Sequence, residues 1–137
     1  MRSVVEAFGN ADFRPLLDAL DENVVWKSAA TQKDGPFRFG GAYVGKASVI
    51  ELLSRLSTAY FFKNVAAKEI ISSGEVLWGL FDLEATYLPV DHSASSPKPL
   101  QIEMAMRWRV RGGKIVEVSS FLDTALLLAL QRQQTRE

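Results

Sequence analysis

The chain contains no cysteine and a single histidine, His92. Without thiols there is no disulfide framework, no thiolate zinc or iron–sulfur site and no cysteine nucleophile. One imidazole excludes any centre that takes two from one chain. Surplus charge is also missing: sixteen Lys and Arg face sixteen Asp and Glu, for a net charge of zero. A general nucleic-acid binder or a polybasic membrane anchor needs excess cations, so neither partner is expected. The longest apolar run, Thr124–Leu130, falls far short of the roughly 20 residues of a spanning helix. Residues 1–12 carry Arg2, Glu6 and Asp12 and do not read as a secretory signal. A cytoplasmic protein is the expectation. Paired metal-ligating histidines and carboxylates at ligand spacing are absent, and the glycine pairs match neither a phosphate loop nor a dinucleotide fingerprint. No metal site and no cofactor are expected.

What is present is enough for one core. Of 137 residues, 47% are hydrophobic and 10% aromatic, with no internal repeat and no linker that would separate two units. A single domain over 1–137 is expected. Val4, Val5 and Phe8 sit at helical spacing in a short opening helix closed by Gly9-Asn10. Asp12 reads as the N-cap of a second helix, Phe13–Leu20, with Pro15 in its first turn. Val24–Trp26 reads as a short strand and residues 29–45 as a long glycine-rich loop carrying Phe37, Phe39 and Tyr43. Lys46–Tyr60 is the clearest helix, with Val49, Leu52, Leu53, Leu56 and Tyr60 on one stripe. The period then drops to two over Val65–Ser72, Val76–Leu88, Leu100–Arg111 and Lys114–Leu122, with Ser73-Gly74 and Gly112-Gly113 as hairpin turns. Pro89–Pro99 reads as a polar hairpin tip, and Asp123 as the cap of a closing helix, Thr124–Gln133. Helices segregated from an antiparallel sheet make an α+β fold.

Strand parity carries the reading further. Ile102, Met104, Met106, Trp108 and Val110 share one face, and Leu77, Phe81, Leu83, Ala85 and Tyr87 share another. These apolar faces belong under the helices. The opposite faces bear Asp82, Glu84, Glu103, Arg107 and Arg109, expected as a lattice of cross-strand ion pairs with the acids beside the arginines. Trp78 and Leu80 lie on that charged face, which singles it out as a homodimer interface. The six apolar residues Ala125–Leu130 leave no polar side on the closing helix, so burial on more than one side is expected.

Three segments together resemble the nuclear-transport-factor-2-like superfamily, and within it the SnoaL-like and ketosteroid-isomerase-like proteins. They are the loop into the third helix, Phe39-Gly-Gly-Ala-Tyr-Val-Gly-Lys-Ala-Ser-Val-Ile, the final hairpin, Trp108-Arg-Val-Arg-Gly-Gly-Lys-Ile-Val-Glu, and the strand-to-helix passage Ser119-Ser-Phe-Leu-Asp-Thr-Ala. The resemblance implies a cone-shaped, strongly curved, mostly antiparallel sheet wrapped around helices, the cystatin-like α+β roll. It further implies an apolar cavity at the wide end and a dimer through the outer sheet face. The isomerases of that family use a carboxylate base, a Tyr and a protonated Asp, the last arrangement being a general worked case of a carboxyl kept neutral by its site. Those positions fall here at Ser28, near Val4 and at Met106, none of which can do that work.

The expected ligand-binding residues are Trp26, Ser28, Phe37, Phe39, Tyr43, Leu56, Tyr60, Tyr87, Met104, Met106, Trp108 and Ser120. For Tyr87 and Trp108, ordinary core is the competing role. Asp123 is the one catalytic candidate, read either as a helix N-cap or as a pocket carboxylate. His92 is either a solvated loop residue or a general acid folded over the cavity mouth. The function expected is binding of a small apolar or polyketide-like molecule in a conical pocket. One form of this is a SnoaL-like lyase, isomerase or cyclase that is not a typical ketosteroid isomerase. The alternative is a non-catalytic ligand-binding or assembly module of the same fold.

Overall fold

The computed structural model describes residues 1–28, 39–88, 97–123, 125–127 and 129. Helix α1 (Arg2–Gly9) ends at Asn10 and buries Phe8, while Val4 and Val5 pack half-buried against the core. Helix α2 (Arg14–Ala19) follows, with Pro15 in its first turn and Leu16 wholly buried. Its N-cap is Phe13 rather than Asp12. The Asp12 carboxylate is engaged with Arg14 instead, accepting from its backbone amide at 3.3 Å and from Nε at 2.9 Å. Helix α3 (Lys46–Ala59) turns Val49 and Leu52 inward, with Leu53 and Leu56 flanking them. It stops one residue short of the apolar stripe, because Tyr60 is already extended and opens the next strand.

Six strands form one curved, unclosed sheet: β1 (Leu20–Ser28), β2 (Gly41–Val44), β3 (Tyr60–Ser73), β4 (Val76–Tyr87), β5 (Lys98–Arg111) and β6 (Lys114–Leu122). Their order is β2-β1-β6-β5-β4-β3, antiparallel throughout except where β1 lies parallel to β6. The β3–β4 and β5–β6 turns use Gly74 at φ 59° and Gly112 and Gly113 at φ 57° and 76°, a region that only glycine enters without strain. Three elements exceed their sequence signal, and one is β3, expected over Val65–Ser72 but running from Tyr60 to Ser73. The expected strand Val24–Trp26 runs from Leu20, because polar Asp21, Glu22 and Asn23 break the apolar pattern where β1 leaves regular pairing with β6. The glycine-rich loop holds β2, whose four residues alternate Tyr43 inward with Ala42 and Val44 outward. So short a strand between glycines carries no readable period.

The inner face is built in rows. Trp26, Val118, Trp108 and Leu77 lie in register across β1, β6, β5 and β4, and Ser120, Met106 and Gly79 form the next row. Leu122, Met104 and Phe81 form the third. Phe8 seals α1 onto this face, meeting Phe81 edge-on at 5.4 Å between centroids and Trp108 at 5.9 Å. Edge-to-face packing of this kind adds to the burial of each ring.

On the outer face the expected ion pairs form with different partners. Register sets Asp82 opposite Glu103, Glu84 opposite Gln101, and Arg107 opposite Trp78. The arginines therefore reach the other way, to β6: Arg107 and Arg109 both engage Glu117. Asp82 and Glu103 are neutralised from β3 by Lys68 and Glu84 by Lys63, and Glu84 also accepts a hydrogen bond from the Asn64 amide. Composition predicts a lattice; only register decides which acid meets which base.

Candidate functional site

Between the inner face and the helices lies a cavity of about 100 Å³. Alternation along each strand supplies its walls: Trp26 and Ser28 from β1, Leu100, Met104 and Met106 from β5, Ser120 and Leu122 from β6, and Leu83 from β4. On β3, Tyr60 and Phe62 point inward, and the irregularity between Phe62 and Asn64 shifts the period so that Val65 follows them. Leu53 and Leu56 of α3, Phe8, Phe13, Phe39 and Leu127 complete the lining. Phe13 meets Phe62 edge-on at 5.7 Å, and Phe39 meets Tyr60 at 6.1 Å, so aromatic rings face one another around the space.

The electrostatics of this cavity follow from its composition. Among the described lining residues there is no Asp, Glu, His, Lys or Arg. Ser28, Ser120, Tyr60 and Trp26 are among the lining residues, yet the surface that they and their neighbours present to the space is almost wholly apolar. Ser28 and Ser120 sit on neighbouring strands, since Lys27 pairs with Ser119 one residue before each. The carboxyl and ammonium groups with displaced pKa values are elsewhere. The Arg14 guanidinium hydrogen-bonded to Asp12 holds that carboxyl below its usual range, and the Glu103 and Asp82 carboxylates hold the Lys68 ammonium above its own. Both are surface groups. Among the described residues no cluster of His, Cys, Asp or Glu is placed to hold a metal ion, and no helix is long and apolar enough to cross a membrane.

Of the residues singled out in the sequence, Trp26, Ser28, Phe39, Leu56, Tyr60, Met104, Met106 and Ser120 meet at the cavity. Tyr43, Tyr87 and Trp108 do not line it. Tyr43 is buried with its hydroxyl donating to the Gly40 carbonyl at 3.1 Å and its ring beneath Arg55. Tyr87 packs against Tyr60 at 5.3 Å. Trp108 is wholly buried beside Phe8, one row further from the cavity than Met106, and its indole N–H has no hydrogen-bond partner. Asp123 is exposed and accepts a hydrogen bond from the Leu126 amide at 3.1 Å, which makes it a helix cap and not a pocket carboxylate. Phe37 and His92 lie outside the described residues. Of the closing run, Leu127 is buried, whereas Ala125, Leu126 and Ala129 are exposed in the single chain. Phe8, Leu53 and Leu83 join the lining although only their periodicity marked them, as core. Phe13 and Phe62 carried no local signal; α2 and β3 bring them together only in the fold.

The isomerase base and acid positions, Ser28 and Met106, do share this cavity. Neither side chain supplies a proton-transfer group near neutral pH.

The family model for the SnoaL-like domain matches residues 1–118. No curated protein matches the chain. Among solved structures, a nuclear-transport-factor-2-like protein of unknown function from Burkholderia pseudomallei is 25% identical, with a TM-score of 0.77 over 94% of this chain and 92% of that one. TerC, co-crystallised with polyporic acid, is 20% identical with a TM-score of 0.72 over 94% and 92%. A Xanthomonas campestris protein provisionally described as a polyketide cyclase is 17% identical with a TM-score of 0.70 over 93% and 90%. With a cystatin-like α+β sheet, an inner apolar face and a family match over most of its length, the chain belongs to the SnoaL-like domain family.

Proposed function

We propose that this protein binds a small apolar molecule in the cavity between α3 and the inner sheet face. The observation that carries the reading is the lining itself: aromatic, Leu and Met side chains with two serines and no charged group among the described residues. Apolar sites with a few convergent polar atoms are the usual architecture of small-molecule pockets. The names of two similar structures, one holding polyporic acid and one provisionally a polyketide cyclase, favour the same class of ligand. A described lining without an acid or base favours binding, or catalysis by confining a reactive conformer, over proton-transfer chemistry. The test is thermal unfolding with saturating neutral hydrophobes such as toluene, phenol and naphthalene. A ligand at ten times its Kd stabilises by about 1.4 kcal/mol. A rise in Tm that disappears in Met106→Lys supports the reading; no rise with any of them overturns it.

We also propose that two copies pair through the outer sheet face. Trp78 is 44% exposed, Phe121 42% and Ile71 65%, and Trp78 stacks on Phe121 at 6.2 Å between centroids. Both signs of charge flank this patch, as a two-fold interface needs if acids of one copy are to meet bases of the other. Light scattering at micromolar concentration should give twice the chain mass, and Trp78→Glu should return it to one. A monomeric wild type refutes the pairing.

A further inference from the structure

We infer that the corner joining α1 to α2 is a hinged door on the cavity, swinging at Ala11 and carrying Phe8 with it. As the route of a ligand this rests on the proposed binding function; as a motion of the empty chain it stands apart. Ala11 is the only non-glycine residue with a positive φ among the described residues, at 59°. It stands at the stop of α1, where the Ala11 amide donates to the Phe8 carbonyl at 3.0 Å and the Asp12 amide to the Ala7 carbonyl at 2.9 Å. That pair of bonds is a common helix stop whose left-handed position is usually given to Gly or Asn. Gly9 and Asn10 immediately precede it, yet the position falls on alanine. The alanine Cβ crowds the next carbonyl oxygen there, which disfavours the closed backbone about tenfold.

The same corner covers a second cost. Phe8 and Phe13 flank Ala11, meet at 5.5 Å between centroids and both line the cavity. Phe8 also stands edge-on to Trp108, 5.9 Å away. The Trp108 indole N–H is buried with no hydrogen-bond partner among the described residues, so folding has taken its bond to water and returned none. When α1 swings outward, Ala11 regains an ordinary φ and water reaches the indole. Both changes favour the open corner. Against them stand the burial of Phe8 and the half-burial of Val4 and Val5. An eight-residue helix is too short to hold itself together in water, so α1 depends on those three side chains. The closed corner is the major state, and the two relieved costs keep the open one populated as a minor state.

The indole N–H is the readout. The chain has three tryptophans, and the Trp108 signal is assigned by its loss in Trp108→Phe. In the ligand-free protein this N–H should exchange with solvent faster than the β4 and β5 amides, with little dependence on dilute urea, as a local opening does. Gly and Asn both accept a positive φ, so Ala11→Gly and Ala11→Asn should slow its exchange about three- to tenfold. Exchange of the Trp108 N–H only at the global unfolding rate overturns the door, and so does exchange unchanged in both variants. A toluene titration followed by the Met106 methyl line shape tests the route. The empty and filled chains are both closed, so Ala11→Gly should slow association and dissociation by the same factor and leave Kd unchanged. Unchanged toluene rates alongside slowed indole exchange overturn the corner as the route and leave the binding function standing. If toluene does not bind, the binding function and the route fall together, while the indole exchange still decides whether the corner opens.

Discussion

Gly79 lies in the first half of β4 with no room for a side chain. A methyl group built there sits 2.5 Å and 2.7 Å from Cε2 and Cζ of Phe81 and 3.0 Å from Cδ1 of Ile70. The Phe81 ring is folded back over the glycine, fully buried, with Phe8 edge-on behind it. Forcing a methylene-sized group into a packed core costs about 1–3 kcal/mol. Alanine's smaller unfolded-state entropy returns about 0.4–1 kcal/mol. Gly79→Ala should therefore destabilise by about 1–2 kcal/mol, a fall in Tm of about 4–8 °C at this chain length. Urea unfolding should show the loss in the midpoint with an unchanged slope. The mechanism is separable from general strand effects by a second substitution. In a Phe81→Leu background the shorter side chain vacates the space, and the same Gly79→Ala change should cost at least about 1 kcal/mol less, a coupling of the size expected for residues in contact. A Gly79→Ala protein as stable as wild type, or an equal cost in both backgrounds, refutes the reasoning.

Met106→Asp should destabilise by several kcal/mol, since it buries a carboxylate facing Ser120 and Gly79 with no cation in the described lining; chemical denaturation measures this, and a variant near wild-type stability would contradict the register. Asp123→Ala removes the acceptor for the Leu126 amide and should cost about 0.5–2 kcal/mol, with toluene-induced stabilisation unchanged; loss of that stabilisation would restore Asp123 to the pocket. Lys68 should titrate above its ordinary value of 10.5, first through its hydrogen bond to Glu103 and then through Asp82. A raised pKa stabilises the fold fully below the unfolded value and ceases to as pH climbs through the folded one, so the contribution disappears only in strong alkali. Side-chain NMR should show the Lys68 pKa falling in Glu103→Gln.

The long strands and α3 were legible because a single period ran through each with its apolar residues intact. Parity along β1 and β5 was enough to bring Ser28 and Met106 to one cavity. Parity cannot say how far along the row the cavity extends, which is why Trp108, correctly assigned to the inner face, proved to lie beyond it in the core. The outer-face ion pairs failed for a related reason: Asp82 and Arg107 are on the right face, but their partners depend on register, which the hairpin turns set and composition does not. β2 was hidden by its glycines, and Phe13 and Phe62 by their separation in sequence, since a contact between residues 49 positions apart leaves no local trace.

The parallel pairing of β1 with β6 also sets an order of assembly. Leu20 lies beside Ile115 and Trp26 beside Val118, so this ladder joins the two ends of the chain. The β3–β4–β5–β6 meander needs only neighbouring hairpins, whereas β1, which can pair locally with β2, must close a loop of more than 80 residues before it gains a single bond to β6. The meander should therefore fold first and β1 dock late, carrying Trp26 and Ser28 with it. On a ribosome the first strand emerges long before the strand it needs. Pulse-labelled hydrogen exchange should protect the β4 and β5 amides ahead of those in β1, which would make closure of the cavity wall the last structural event in the life of the nascent chain.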